Sequence, residues 1–254
     1  MNGPAVSFAV IIATCDRPAL LADALRSVSA QQPAPAEVRI ADEGAAPVGE
    51  SLTASPLLEL TIVRPKARRP AAAARNHAAH GARADALAFL DDDDRWLPGH
   101  LAALARALAD PTVGIAYTDV AVVRERIEPD GSRTELARRV IARDWDPEMM
   151  RTNGYLPPSV WGVRRWLFER LGGFDESFRY SEDWDFLLRA AHESIPHRVP
   201  GITAEVRMRD QGGLSQTRDP ERQSCLDRLS ERHHLPPLEI RTFWEVAALA
   251  ASAS

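Results

Sequence analysis

Cysteine is close to absent from this chain, with Cys15 and Cys225 alone among 254 residues and far apart. That excludes a disulfide framework and a cysteine-based metal site, and leaves two reduced, buried thiols. Basic tracts are absent as well, and the formal net charge is −5. A nucleic-acid partner would need the opposite electrostatic footprint. No stretch reaches the ~20 apolar residues that a membrane span needs. The apolar run over residues 6–13 has no Lys or Arg before it and meets Asp16-Arg17-Pro18 directly after, unlike a signal peptide. A soluble, cytoplasmic protein is expected. Glycine-rich phosphate cradles are missing too: no GxGxxG follows the first apolar run, and there is no GxxxxGK[ST]. An EF-hand starting at Asp91 would need Gly at its sixth position and Glu at its twelfth, where Trp96 and Ala102 stand.

What is present is an alternation of strands and helices. With 45% hydrophobic residues, the length suits one large domain, or a domain with a small appendage. Residues 7–13 read as a buried strand, Thr14 to Arg17 as a turn, and Pro18 as the opening of a helix that runs to residue 30. Leu21, Ala24, Leu25 and Val28 form its apolar stripe. Strands are expected at 37–41 and 58–63, and Pro70 opens an Ala-rich helix carrying Arg75 and Asn76. A further apolar run, 86–90, empties into Asp91-Asp92-Asp93-Asp94. This rhythm predicts an α/β fold with a mostly parallel sheet, in which ligands sit beyond the carboxyl ends of the strands. Thr14, Asp16, Asp42 and the four aspartates all fall at such ends. Adjacent like charges repel, and hard divalent cations such as Mg²⁺ and Mn²⁺ take oxygen ligands.

The motifs resemble those of a known family. Val10-Ile11-Ile12-Ala13-Thr14-Cys15-Asp16-Arg17-Pro18 is similar to the opening "VIIPTYNRP" of the family 2 glycosyltransferases with the GT-A fold. Ala74-Arg75-Asn76 looks like their "ARN", and Phe89 to Leu97 like their "FLDxDDxW", which holds the DxD metal motif. Gly172-Gly173-Phe174-Asp175-Glu176 followed by Glu182-Asp183-Trp184-Asp185 resembles "GGFDE…EDWD". The ordered set covers roughly residues 6–195.

The resemblance implies a GT-A-like, Rossmann-type three-layer sandwich. Residues 1–110 would bind the nucleotide-sugar donor, 111–218 would form the acceptor-binding and catalytic half of the same domain, and 219–254 would be a helical extension. It also implies inverting transfer of a sugar from a nucleoside diphosphate, UDP first and dTDP next, to a hydroxyl acceptor. Asp42 would read the imide N–H of the base, Thr14 and Asp16 would line base and ribose, and Arg75 would contact the base or diphosphate. Asp93 would ligate Mn²⁺ or Mg²⁺ directly, with Asp91 reaching the metal through water or orienting its neighbours; Asp92 would bond the ribose and Asp94 serve the sugar or the loop. Asp183 would be the general base, Glu182 an acceptor contact, Trp184 a ring face for a sugar, and Gly173 a turn open to acceptor approach. The metal-completing His of the family is missing ahead of Ser215; Arg209 or Asp210 would stand in its place, and an arginine there would supply fixed charge. A sugar-phosphate nucleotidyltransferase and a non-catalytic nucleotide-sugar binder remain as alternatives.

Other expectations come from local pattern. Trp96 belongs to the core. A strand over 113–123 should turn at Glu128 to Gly131 and return to residue 141, and another strand should span 156–163, followed by a helix over 165–171. Ser181 should cap a helix whose Trp184, Leu187, Leu188 and Ala191 face the core, with an Asp185–Arg189 pair on its side. His192, His197, His233 and His234 show no ligand spacing. Helices at about 219–234 and 237–251 should pack on the domain, with an oligomer contact or weak membrane association as further uses of their apolar end.

Overall fold

The computed structural model describes residues 6–50, 59–128, 132–209 and 220–251. Its first half is a parallel sheet wound as the alternation predicts. Strand β1 (Phe8–Thr14) leads into α1 (Pro18–Ser29), β2 (Glu37–Asp42), β3 (Leu60–Val63), α2 (Ala71–Ala79) and β4 (Ala86–Asp91). The order is β3-β2-β1-β4, every pair parallel. Strands β1 and β4 are apolar without alternation because both faces of a central parallel strand are covered. The whole predicted stripe of α1 is buried, and Pro18 occupies its first turn.

The second half adds β5 (Arg95–Trp96), α3 (His100–Leu108), β6 (Ile115–Ile127), β7 (Arg133–Ile141), α4 (Pro147–Met150), β8 (Trp161–Arg164) and α5 (Arg165–Arg170). Helix α6 (Glu182–Glu193), strand β9 (His197–Arg209), α7 (Pro220–His233) and α8 (Phe243–Ala251) complete the chain. Strand β8 enters antiparallel between β4 and β6, so β6 again runs parallel to β4. Strand β9 lies parallel to β6 and closes on β5.

Three departures from the sequence reading have physical causes. The strand expected over 156–163 starts only at Trp161, because Pro157 and Pro158 lack N–H donors and Pro158–Val160 winds into a 3-10 turn. Strand β9, thirteen residues long, was not foreseen. Pro200 and Gly201 interrupt its pattern, and its register against β6 shifts between Thr118 and Val120, where the chain bulges. The β6–β7 hairpin forms as expected, Glu128 N–H donating to the Ser132 carbonyl at 2.8 Å, although residues 129–131 lie outside the described residues.

Aromatic rings hold α5 and α6 to the sheet. Phe89 of β4 lies 4.9 Å from Trp161, and Trp161 stacks on Phe186 at 5.5 Å, with Phe168 and Phe174 filling the remainder. On α6 the buried apolar residues are Trp184, Phe186, Leu187 and Ala190, whereas Leu188 and Ala191 are only half-buried. The single stripe fails because this helix is covered on a second side by α7. There Asp185, fully buried, accepts from Arg189 at 2.8 Å and Arg232 at 3.0 Å, with His233 Nε2 at 2.9 Å. Helix α8 packs Val246, Ala247 and Ala250 inward, and the Arg139 guanidinium sits 4.1 Å over the Trp244 ring.

Candidate active site

A cavity of about 830 Å³ opens where the carboxyl ends of β1 and β4 meet the start of α6. Thr14, Arg75, all four aspartates from Asp91 to Asp94, Glu182, Asp183 and Trp184 line it. Asp93 and Asp183, 90 positions apart in sequence by subtraction of their numbers, therefore share one space.

The acidic run is compensated residue by residue. Asp92 accepts from Thr14 Oγ1 at 2.7 Å and from Arg17 Nη1 at 3.3 Å. Burial, with the charge of Asp93 adding to it, pushes the Asp92 carboxyl up to about 6. Asp93 receives Arg17 at 3.2 Å and Arg209 at 2.5 Å on one oxygen. Asp91 pairs with Arg75 at 2.5 Å. Asp94 is turned into the protein, accepting from Ser159 Oγ at 2.5 Å and the Arg207 N–H at 3.0 Å. The Arg207 guanidinium donates to the Asp93 and Asp94 carbonyls at 3.0 and 3.1 Å, so β9 fixes the backbone of the loop. Among the described residues, Asp91, Asp93 and Asp94 each offer an oxygen within 4.8 Å of the others.

Arg75 joins this run to α6. It is buried, and donates to Asp91 and to Glu182 Oε1, each at 2.5 Å. Burial alone would lower its pKa, but the charges of Asp91 and Glu182 outweigh it and hold the guanidinium charged. Burial drives Glu182 upward; Arg75 opposes this and Asp183 adds to it. Ser181 sits at the expected cap position, yet with φ +63° its side chain makes no capping bond. Asp183 instead accepts from the Trp184 N–H at 2.8 Å. Burial raises the Asp183 pKa despite the charge of Arg75, so the helix start does not hold it at its ordinary value. Among the described residues no ion pair is made to its carboxylate. Trp184 donates its indole N–H to the Met150 carbonyl at 2.8 Å and packs on Gly154. Trp96 is buried with its own indole N–H on the Ser159 carbonyl, as a core residue should be.

Three expected site residues lie off the cavity. Asp42 is committed to its own loop, accepting from the Gly44 and Val48 N–H groups at 3.0 Å and Arg64 at 2.8 Å, which corrects the expectation of a carboxylate open to a base. Asp16 is exposed at φ +54° and closes the same loop through the Ala45 N–H at 2.7 Å, rather than lining base and ribose. Gly173, at φ +72°, is pressed against Asn76, where an added Cβ would lie 2.6 Å from the amide oxygen. That turn is packed, not open to an acceptor. Sequence reasoning gives no role to Arg17, Arg207 and Ser159; Arg17 stands inside the first motif, where its Arg could have marked it, while Arg207 and Ser159 carry no motif signal. Arg209 reaches Asp93 at 2.5 Å, and Asp210 lies outside the described residues.

The glycosyl transferase family 2 domain matches residues 9–172. The chain belongs to that family. It is a glycosyltransferase of the GT-A type, and it is 31% identical to the uncharacterized glycosyltransferase YwdF of Bacillus subtilis, over 94% of this chain and 88% of that one. Among solved structures it is similar to S. aureus TarS 1–349 in complex with UDP-GlcNAc, with a TM-score of 0.68 and 15% identity over 96% of this chain and 71% of that one. The mannosyltransferase PcManGT of Pyrobaculum calidifontis, in complex with GDP-Man and Mn²⁺, gives a TM-score of 0.61 and 20% identity over 100% and 77%.

Members of this family often use a divalent cation, and the donor set here suits one. Its three carboxylates present hard oxygens only and all line the cavity, Asp94 being held by Ser159 and the Arg207 N–H.

Proposed function

We propose that this family 2 glycosyltransferase transfers a sugar with inversion from a nucleoside diphosphate to a hydroxyl acceptor, UDP being the first donor to test and dTDP the next. The observation that carries the reading is the shared cavity: paired acids on one strand end, and on a helix start a single carboxylate without an ion pair among the described residues. Asp91 and Asp93 would hold Mn²⁺ or Mg²⁺, which when bound offsets charge on the departing diphosphate. Arg17 and Arg209, already at Asp93, supply further positive charge in the same place. Asp183 accepts the acceptor proton as the new bond forms, and its burial-raised pKa makes it a stronger base than an exposed aspartate. Arg75 holds Glu182 and Asp91 in register, so the two walls keep a fixed separation. Thr14 fixes the rotamer of Asp92 toward the ribose.

The uridine preference draws support from the TarS complex, while the PcManGT complex keeps GDP in view. Thermal stabilisation of the chain by UDP, dTDP and GDP, with and without Mn²⁺, tests donor and metal together. UDP should give the largest shift and Mn²⁺ should increase it; a larger shift with GDP would sink the uridine reading. The anomeric configuration of the product, followed by NMR, tests inversion.

A further inference from the structure

The wall of the cavity built from residues 152–158 and the C-terminal helices has a different charge from the rest. Here Arg222 and Arg241 line the space and, among the described residues of this wall, the lining carboxylate is Glu239; Arg179 lines the cavity from the loop before α6, ahead of Glu182 and Asp183. Glu239 meets Arg241 at 3.2 Å with its side chain 80% exposed, a pair of the kind that contributes little. Arg179 reaches Glu221 at 3.1 Å, with both side chains half exposed or more, and Glu221 does not line the cavity. Arg241 is otherwise oriented by neutral oxygens, donating to Asn153 Oδ1 at 3.0 Å and to the Thr152 carbonyl at 3.4 Å. The same turn seats Trp184: its indole N–H is on Met150, and a Cβ at Gly154 would lie 2.8 Å from the ring. Trp184 directly follows Asp183, so Arg241 is tied through one rigid turn to the residue beside the base.

We propose that the acceptor carries an oxyanion, a phosphate or a carboxylate, that docks on Arg241 with Arg179 alongside while the acceptor hydroxyl faces Asp183. The inference rests on Asp183 being the acceptor-side base. The chemistry is that of the guanidinium fork, which binds planar or tetrahedral oxyanions through two parallel N–H donors. The exposed Glu239 is a placeholder that such an anion displaces.

The test is calorimetric titration of the full chain with glucose 6-phosphate, glucuronate and glucose. At least one anionic sugar should bind tighter than glucose, and the stronger of the two identifies the oxyanion. Arg241→Gln should weaken that binding about tenfold, the loss of one charge-assisted contact, and leave stabilisation by UDP unchanged. Arg241→Lys should recover part of the loss. Glu239→Gln should tighten binding about two- to fivefold by removing the competing carboxylate, which keeps the test alive if Arg241→Gln does not fold. Equal binding of all three sugars, or an anion preference that survives Arg241→Gln, overturns the proposal. Absence of any UDP effect counts against the donor reading instead, because the sugar titrations read Arg241 without nucleotide.

Discussion

Two acidic clusters face each other across the cavity, and they are handled in opposite ways. At the end of β4 and in the turn after it, each member of the run from Asp91 to Asp94 has a donor on its carboxylate: Arg75, Thr14, Arg17, Arg209, Ser159 or the Arg207 N–H. At the start of α6, Glu182 is paired with Arg75 while Asp183 holds only backbone N–H of its own helix start among the described partners. The contrast teaches how one site keeps two kinds of carboxylate. Burial raises the pKa on both sides, Asp92 to about 6 and Asp183 above its ordinary value, so the difference lies in the partners: side chains from other segments fix the run, whereas Asp183 is left to the backbone of its own helix. Arg75 belongs to both clusters and sets the distance between them.

The largest effect that can break this comparison is Asp183→Asn. Transfer should fall about 10²- to 10⁴-fold, the usual contribution of a general base, with UDP stabilisation unchanged. Loss of nucleotide binding would mean that Asp183 belongs with the donor acids after all. Arg75→Met should destabilise the fold by about 3 kcal/mol in urea unfolding, because two carboxylates lose their buried partner; protonation of Glu182 keeps the loss at the low end of the range. A variant as stable as the parent would show that the bridge contributes nothing.

Asp93→Ala should abolish the Mn²⁺ enhancement of UDP binding, weakening metal affinity at least tenfold or so, since even indirect supports of metal sites cost that much. Metal dependence that persists would move the ligand role to Asp91 and Asp94. The pH profile of kcat/KM sharpens the contrast further. A base works deprotonated, and burial raises the Asp183 pKa, so activity should be lost on acidification at a pH above the ordinary 3.8. An acid limb at or below that value would place the base elsewhere. The smallest effect expected is for Thr14→Val, which removes one hydrogen bond to a carboxylate and should cost about 1.5 kcal/mol in thermal unfolding.

Much of the N-terminal half was legible in sequence because its information is local. Apolar runs of strand length, Pro18 at a helix start and acids at strand ends follow from patterns a few residues wide, and β1, α1, β2, α2 and β4 form where those patterns place them. The C-terminal half was less legible. Strand β9 is broken by Pro200 and Gly201 and exists because β6 offers it an edge. The inward face of α6 was misjudged because α7, more than thirty residues later, covers Asp185.

The sequence by itself determined an α/β chain with acids at its strand ends and the residue types for cation-assisted group transfer. Only the tertiary structure decided which acids are free to act. Asp42, Asp92 and Asp183 are alike as letters, yet one is saturated by its own loop, one is bonded to Thr14 and Arg17, and one has no ion pair among the described residues. Basicity and ligand capacity depend on partners within a few ångströms, and those partners come from segments that only folding brings together.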